Sequence, residues 1–416
     1  MRAVVIGTGP AGITAAETLR RLDPSGSVVA LTTEPFPPYS PPAMADHFLT
    51  GREAPLYWKG PDVAERLGID ERRTTRVMGI DADAHEVVLA DDVRIGFEGL
   101  VVASGSRLYA PLEGADLPGV LDFKSLRTAT EMFGRVREGE VTTALIVGNG
   151  FIGIELSLLL ADLGVDVTVI GRRNWLMPRV LDPETSKVAE AALTKRGVTL
   201  RLGVEAQAIV GGTSATGVRL ADGTLLGADL VVAATGVKPH TEFLGESGIV
   251  TGWGVHVDDR LSTSVIGIVA AGDVAEAADR FTGERYVHAI FPNAVAQAPI
   301  AAANLLGANL RYDGAETMNS LKHLGVPIVS IGTIDSPDEI LRWQDGVDLR
   351  AVYLRDDRII GAQLAGDIRA AGVYRSLMLR RQPVGRFGGR LVDPGFGMAD
   401  ITFDALRAGD RTGSAV

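Results

Sequence analysis

The chain has 416 residues, of which 46% are hydrophobic and 22% charged, a balance typical of a globular protein with two or three domains. Its net charge of −11 argues against nucleic acid as a partner, because duplex binding depends on neutralising phosphates with Lys and Arg. The absence of cysteine excludes disulfides, thiolate metal ligands, iron–sulfur ligation and thiol catalysis, so electron chemistry would belong to a bound cofactor.

The first predicted element is a strand that starts at once, in MRAVVIGTGPAG, without the apolar core of a signal peptide. No apolar run approaches the roughly 18 to 20 residues of a membrane span. We therefore expect a cytoplasmic protein with no membrane span, and we predict no metal site.

A βαβ motif opens the chain. It consists of an apolar strand, a glycine turn and a helical pattern in RAVVIGTGPAGITAAETLRRL, followed by the strand SVVALTTE. Gly7, Gly9 and Gly12 form G-x-G-x-x-G at the turn: the first permits the tight turn, the second lets backbone approach a pyrophosphate, and the third lets helix and strand pack closely. The helix N-terminus would bind the anion. The motif predicts a dinucleotide site.

The next distinctive stretch is YSPPAMADHFLTG. Each proline fixes its own φ and biases the preceding residue away from helix, so Tyr39 to Pro42 are predicted to be extended and stiff. A helix is predicted for AMADHFL, in which we expect His47 to be packed or solvated, the alternative being a proton donor.

A second βαβ motif follows some short strands in VVLADDVRIGFEGLVVASGS. It reads TALIVGNGFIGIELSLLLADLGVDVTVIG, and Gly148, Gly150 and Gly153 repeat the glycine pattern, so a second dinucleotide is implied. Later strands are predicted in ADLVVAATGVKPH and LSTSVIGIVAAGDVAEAAD, and an Ala-rich helix in FPNAVAQAPIAAANLLG, with Pro292 near its start.

The last hundred residues read as an α+β domain from about Met318. The whole chain is therefore predicted to have an α/β fold with two Rossmann-like dinucleotide-binding domains, the second inserted in the first, plus this C-terminal α+β domain. The predicted boundaries are 1–109 and 237–316, 110–236, and 317–416, with a flexible tail after about residue 405.

The ordered motifs GTGPAG, VVASGS, GNGFIGIE, AATGVKP, VAAGDV and FPNAVAQAPIAAANLLG resemble the FAD- and NAD(P)H-dependent pyridine nucleotide oxidoreductases, the superfamily of glutathione reductase. Within it the chain is most similar to the rubredoxin, ferredoxin and nitrite reductase flavoproteins, up to about residue 385. The resemblance implies hydride transfer from NAD(P)H to FAD N5.

The resemblance also implies which residues bind the cofactors. The first loop would hold the FAD pyrophosphate, and Asp273, after Gly272, would bind the ribityl and pyrophosphate part, unless it is only a turn residue. The helix beginning near Asn293 and Ala294 would point its positive end at the flavin pyrimidine. Gly105 and Gly236, in the motifs VVASGS and AATGVKP, complete this set.

The second loop would bind NAD(P)H. Phe151 would be an aromatic gate over the flavin, and Glu155 would hold the nicotinamide carboxamide. The alternative is that Phe151 and Glu155 are ordinary core and helix residues.

Carboxylates at strand ends normally bind adenosine ribose hydroxyls. In the first motif that position is Thr32, so Glu34, two residues on, is our expected FAD ribose ligand, the alternative being a solvated acid. The second motif ends in Gly171, Arg172 and Arg173, without an acid, and two guanidiniums could clamp a 2′-phosphate.

We therefore favour NADPH over NADH. Surface arginines are common, however, and Gly153 is the residue more typical of NAD sites, so NADH stays open.

The thiol relay of related enzymes has no counterpart here. The resemblance puts the single cysteine of CoA-disulfide reductases and NADH peroxidases at Pro42, which we expect to wall the flavin. Ferredoxin reductases carry Arg-Pro-Pro and then a lysine, where this chain has Pro41 and Asp46. Electrons would therefore leave FAD directly.

The expected acceptor is a protein: a rubredoxin, a ferredoxin or a partner redox subunit. A basic cluster could dock this acceptor protein. The alternative is that the cluster is an ordinary solvated face. This cluster comprises Arg375, Arg380, Arg381, Arg386 and Arg390. The alternatives are an NAD(P)H oxidase or quinone-type reductase, and a flavin-bound sensor or interaction protein. The sequence leaves monomer and homodimer open.

Overall fold

The computed structural model describes residues 1–321 and 323–402. They form two compact units: Met1–Gly148 with Gln207–Glu316, and Asn149–Ala206 with the described residues after Glu316. The flexible tail predicted after about residue 405 lies outside the described residues.

The first compact unit is built on a sheet of five parallel strands. In spatial order they are Ile268–Ala270, Gly99–Val102, Arg2–Ile6, Ser27–Leu31 and Asp70–Arg72. Helix Pro10–Leu22 connects the third of these strands to the fourth and packs against helix Phe291–Leu305. The central strands are buried along almost their whole length, which explains their continuous apolar sequence.

A second set of parallel strands lies in the same unit. Leu230–Ala233 pairs with Thr143–Val147 on one side and Val120–Leu121 on the other. The remaining strands form small sheets: Val77–Asp81, Glu86–Leu89 and Arg94–Gly96; Ala206–Gly211, Ala215–Leu220 and Leu225–Gly227; Ser106–Leu108 and Val237–Pro239; Val255–His256, Ala275–Ala278 and Arg285–Tyr286. The other helical segments are Pro41–Ala43 and Glu242–Leu244, which are 3₁₀, and Met44–Thr50, Val63–Arg66 and Leu126–Arg137.

The second compact unit combines a nucleotide-type motif with an antiparallel sheet. Strands Asp166–Gly171 and Thr199–Leu202 pair in parallel. The antiparallel sheet has the order Met318–Leu321, Ile328–Gly332, Arg358–Ala365, Asp348–Arg355, Glu339–Asp345. The helices are Phe151–Asp162, Pro183–Lys195 and Ala371–Leu379, with a 3₁₀ segment at Gly388–Val392.

This architecture confirms the predicted fold class: parallel Rossmann-like sheets with a C-terminal antiparallel sheet. The numbered boundaries of the three domains stay a prediction. None of the helices that the structure describes is both long enough and apolar enough to cross a membrane.

A buried carboxylate, Asp182, organises the second compact unit. It caps helix Pro183–Lys195 by accepting a hydrogen bond from the Thr185 amide at 2.7 Å. Its Oδ2 also accepts from the Tyr353 hydroxyl at 2.6 Å and forms an ion pair with Arg342. Burial alone would raise the pKa of Asp182, but these partners more than offset it and hold the pKa below its ordinary value.

Removing the Tyr353 hydroxyl tests the strength of this cluster. We expect Tyr353→Phe to lower the free energy of unfolding by about 2 kcal/mol, since the lost hydrogen bond goes to a charged acceptor. Tyr374→Phe is the matched control: that hydroxyl is equally buried and also lies beside a guanidinium, that of Arg350, but it donates to the neutral Leu391 carbonyl, so the loss should be about 1 kcal/mol.

Urea unfolding of both variants measures the difference. The pKa of Asp182 is lower in the folded protein than its ordinary value, so the ionised carboxylate and its partners stabilise the fold at neutral pH. This contribution to the free energy of unfolding disappears as the pH falls below about 4. An equal loss in the two variants at pH 7 would contradict the cluster's role.

Candidate functional site

The first glycine loop is crowded by backbone at two of its three glycines. Gly7 has φ +98°, and a Cβ on it would lie 2.2 Å from the Ala103 carbonyl oxygen. A Cβ on Gly12 would lie 1.8 Å from the Gly7 oxygen, whereas no atom of the described chain comes within 4 Å of one on Gly9. Gly7 and Gly12 are therefore required by the fold, and the space at Gly9 is open.

The helix that follows this loop starts at Pro10 without a capping side chain from any described residue. Its first intrahelical bond runs from the Ile13 amide to the Gly9 carbonyl, so the amides of Ala11 and Gly12 have no partner within the helix. Helix Leu126–Arg137, in contrast, is capped by Ser125. Open N–H groups at a positive helix end suit a pyrophosphate.

The second glycine loop repeats these features. Gly148 has φ +124°, and a Cβ on it would lie 2.3 Å from the Ala234 carbonyl oxygen. Helix Phe151–Asp162 begins after Gly150, and the described residues supply no side-chain cap. Gly153 is buried in its first turn. The loop therefore fits a second dinucleotide.

Phe151 and Glu155 lie in the first two turns of this helix, and both are half-buried. Their roles as aromatic gate and carboxamide ligand stay predictions. Gly236 follows strand Leu230–Ala233 with φ +139°, a conformation that favours glycine.

Asp273 lies in a polar cluster at the edge of the five-stranded sheet. Its Oδ2 accepts hydrogen bonds from the Lys124 ammonium at 2.8 Å and from the Ser106 hydroxyl at 2.7 Å. Burial alone would raise the pKa of Asp273, but Lys124 and Ser106 more than offset this and hold the pKa below its ordinary value. The aspartate is therefore a fixed anion with lone pairs to offer to hydroxyl donors such as those of a ribityl chain.

Sequence reasoning missed both partners of Asp273. Ser106 directly follows Gly105, which has φ +70°, so the motif VVASGS contained a usable signal. Lys124 is 149 residues from Asp273 and stands in no recognised pattern. Only the tertiary structure brings the two together.

Glu34 presents a buried acceptor that no described residue satisfies. Its Oε2 has no hydrogen-bond partner among residues 1–321 and 323–402. Burial raises the pKa of Glu34, with nearby Arg127 acting in the opposite direction. Thr32 is buried, and its Oγ1 accepts from the Glu34 amide at 3.2 Å. Of the two candidates, Glu34 therefore fits the FAD ribose hydroxyls.

Helix Phe291–Leu305 is anchored by two amide side chains. The Asn293 side chain donates to the Glu316 carbonyl at 2.9 Å and accepts from the Glu316 amide at 3.2 Å. The Ala294 amide donates to the Ile290 carbonyl, so the amides of Phe291 and Asn293 at the helix start have no partner within the helix and could face a ligand. Gln297, which sequence reasoning missed, accepts from the amide of Gly272, where φ is +82°.

The proline segment differs from its prediction. Ser40 is extended, with φ −95° and ψ 106°, but Pro41–Ala43 form a 3₁₀ turn that leads into helix Met44–Thr50. Proline is tolerated in a first helical turn because its missing N–H would have no partner there. The expectation of an extended Tyr39–Pro42 is therefore wrong for its second half, and Pro42 is exposed.

The flanks of this segment are held in place. The Tyr39 hydroxyl accepts from the Leu126 amide at 3.0 Å, and burial raises the pKa of Tyr39. His47 Nδ1 lies 3.1 Å from the Arg52 carbonyl oxygen, and its ring contacts Phe48 edge-on. These contacts agree with a packed histidine.

Two arginine groups remain on the surface. Arg172 and Arg173 are exposed, and no described acid pairs with either guanidinium. In the C-terminal cluster, Arg375 is half-buried and Arg380, Arg381, Arg386 and Arg390 are exposed. Within that cluster, Arg390 pairs with Asp400, and Arg386 lies 4.9 Å from the centre of the Phe387 ring.

Comparison with known proteins decides the family. The family model described as pyridine nucleotide-disulphide oxidoreductase matches residues 1–302, and the one described as rubredoxin NAD+ reductase C-terminal domain matches residues 318–382. The chain belongs to the pyridine nucleotide-disulphide oxidoreductase family. It is therefore an FAD-dependent oxidoreductase that uses a nicotinamide nucleotide, and the glycine loops, Asp273 and Glu34 fit the nucleotides that such an enzyme binds.

Individual relatives point the same way. A rhodocoxin reductase from Rhodococcus erythropolis is 33% identical over 75% of this chain and 74% of its own. An NADH oxidase from Methanocaldococcus jannaschii is 27% identical over 89% of each chain. The crystal structure of a ferredoxin reductase from Rhodopseudomonas palustris is 26% identical, covers 96% of this chain and 100% of its own, and superposes with a TM-score of 0.87.

The glycine roles can be separated by alanine substitution. Gly12→Ala should lower the free energy of unfolding by about 3 kcal/mol, because the new methyl group meets fixed backbone. Gly9→Ala, its matched control, should leave the FAD-free protein within about 0.5 kcal/mol of the parent and instead weaken FAD binding. Urea unfolding of the FAD-free protein and titration with FAD measure the two effects. Equal destabilisation by both substitutions is the result that contradicts this division.

The Lys124 contact can be tested by Lys124→Met. The substitution leaves the Asp273 carboxylate, which is only 17% exposed, without its cation, so we expect a loss of about 3 kcal/mol in stability and weaker FAD retention. Lys187→Met, which removes a 66% exposed lysine from an ion pair with Glu184, should cost at most about 0.5 kcal/mol.

The pH dependence has a definite sign. In the parent protein the lowered pKa of Asp273 keeps the ion pair intact above about pH 4 and loses it as the pH falls through the lowered value. In Lys124→Met only the Ser106 hydrogen bond opposes the effect of burial, so the pKa of Asp273 should rise and FAD release should begin at a higher pH. Release profiles that coincide for parent and variant contradict the role of Lys124.

Proposed function

We propose that this chain is an NADPH-dependent FAD reductase that passes electrons directly to a small redox protein: a rubredoxin, a ferredoxin or a redox subunit of a larger complex. The observation that carries the proposal is the absence of cysteine from a chain of this family, with Pro42 in the predicted position of the relay thiol. The names of the rhodocoxin and ferredoxin reductases support a protein acceptor.

Bound FAD would supply the hydride-accepting and electron-releasing chemistry. The chain's own residues bind and orient it. The open amides after Gly9 would hold the pyrophosphate, Glu34 would accept from the adenosine ribose, and Asp273 would accept from the ribityl chain. The positive end of helix Phe291–Leu305 would stabilise negative charge on the pyrimidine side of the flavin.

The choice of NADPH rests on the residues after strand Asp166–Gly171. Gly171 offers no carboxylate to a ribose, and no acid there repels a 2′-phosphate. Arg172 and Arg173 are exposed at the strand end, where guanidiniums can donate paired hydrogen bonds to a phosphate.

Docking of the acceptor would use the C-terminal arginine cluster. Arg380, Arg381 and Arg386 are exposed on a protein whose net charge is −11. A local basic face of this kind steers and orients an acidic carrier, although its contribution weakens with salt.

A second candidate function is an oxidase. The similarity to the NADH oxidase of Methanocaldococcus jannaschii, at 27% identity over 89% of this chain, favours it specifically. In that case the electrons would go to oxygen or to another small molecule, and the arginine cluster would be an ordinary solvated face.

Rapid mixing of the FAD-loaded protein under anaerobic conditions tests the proposal. NADPH should bleach the flavin roughly tenfold faster than NADH at subsaturating nucleotide, because the charged hydrogen bonds to the 2′-phosphate strengthen binding. Arg172→Ala should remove most of this preference, and Lys195→Ala, which removes an exposed charge at the end of helix Pro183–Lys195, should not. Equal or faster reduction by NADH contradicts the choice of NADPH.

The fate of the reduced protein then separates the acceptors. Fast reoxidation by an added rubredoxin or ferredoxin, slowed by salt and by Arg380→Glu, is the expected result. Faster reoxidation by oxygen than by any carrier would support the oxidase. A reduced protein that persists with every acceptor would indicate a sensor.

A further inference from the structure

Asn149 occupies the space in which an acidic side chain at position 171 would begin. Gly171 ends a strand at the position where NAD-binding motifs carry the ribose-binding acid. A Cβ on Gly171 would lie 2.5 Å from Asn149 Cγ and 2.8 Å from Asn149 Cβ, both closer than real Cβ contacts. A change of Asn149 rotamer moves Cγ but not Cβ, so the conflict persists in every rotamer.

Asn149 is also fixed in place. It is 8% exposed, and its side-chain amide donates to the Trp175 carbonyl at 2.7 Å. The backbone carbonyl of Asn149 accepts a hydrogen bond from the Met177 amide at 2.8 Å. The Trp175 indole in turn donates to the Leu181 carbonyl at 3.1 Å. One residue of the glycine loop thus anchors the segment that follows the strand.

The anchored segment carries the two exposed arginines. Arg172 and Arg173 lie between Gly171 and the Trp175 carbonyl that Asn149 binds. The Arg173 carbonyl accepts from the Gly203 amide at 3.1 Å, which restrains the same segment from its other side. A restrained backbone reduces the ordering that a clamp on a phosphate would otherwise require.

We propose that Asn149 supports the use of NADPH by this enzyme through its effect on positions 171 to 173. It excludes the carboxylate that would bind an unphosphorylated ribose, and it holds the backbone of Arg172 and Arg173 for a 2′-phosphate. This inference rests on the proposed use of NADPH. It adds Asn149, an uncharged residue between Gly148 and Gly150, to the residues that favour this nucleotide.

The experiment uses the FAD-loaded protein and the variants Asn149→Gly, Gly171→Glu and the double variant. Affinities for NADP+ and NAD+ are measured by calorimetry, together with thermal unfolding. Gly171→Glu should bind both nucleotides poorly and unfold at a lower temperature, because its side chain meets Asn149. Asn149→Gly should keep the preference for NADP+ with about fivefold weaker binding, since one hydrogen bond to the segment is lost.

The double variant should prefer NAD+ by about tenfold, because it has both the acid and the space for it. If Gly171→Glu alone binds NAD+ as well as the double variant does, Asn149 does not exclude the acid and the proposal is overturned.

Gly171→Ala keeps the contact testable if the glutamate variants do not fold. It should lower the unfolding temperature markedly in the parent and much less in the Asn149→Gly background; equal effects overturn the proposal. The proposed use of NADPH and the proposed role of Asn149 can also fail separately. If the parent binds NAD+ as tightly as NADP+, the proposed use of NADPH fails, whereas the coupling between positions 149 and 171 is measured by stability alone.

Discussion

The close approach of backbone segments at the first glycine loop is the constraint on which the flavin site depends. The Ala103 carbonyl lies where a side chain on Gly7 would stand, because strands Arg2–Ile6 and Gly99–Val102 pair in parallel and end together. Strand Ile268–Ala270 pairs on the far side of Gly99–Val102 and brings Asp273 to the same edge. The carboxyl ends of these neighbouring strands therefore place the uncapped N-terminus of helix Pro10–Leu22 and the Asp273 carboxylate at the same edge of the sheet. This edge is where nucleotides usually bind in such sheets.

The negative charge of Asp273 at that edge is balanced by a lysine from a distant part of the chain. A carboxylate as buried as Asp273 would tend to become protonated without a cation, and a neutral acid offers weaker acceptors. Lys124 supplies the cation, and two residues later the Leu126 amide donates to Tyr39. The same short segment therefore supports both the strand-end acid and the start of the proline segment.

Local patterns foretold the parts of this site that depend on local geometry. Both glycine turns, the position of Asp273 at a strand end and the helix with Pro292 in its first turn follow from spacing and from turn chemistry, and the fold class follows from their order. Lys124, Gln297 and the contact of Asn149 with Gly171 could not be foretold, because each is a pairing of segments remote in sequence. The proline segment was mispredicted because prolines restrict the preceding residue yet suit a first helical turn equally well.

The family is named for disulphide chemistry, but this chain has no cysteine, so we infer that bound flavin is its one redox centre. Anaerobic titration of the FAD-loaded protein with NADPH, followed by flavin absorbance, counts the redox centres of the protein. One equivalent of NADPH per bound FAD should bleach the flavin completely, and no further equivalent should be oxidised. Oxidation of a second equivalent before an acceptor is added would reveal another redox centre and rule out flavin as the one redox centre.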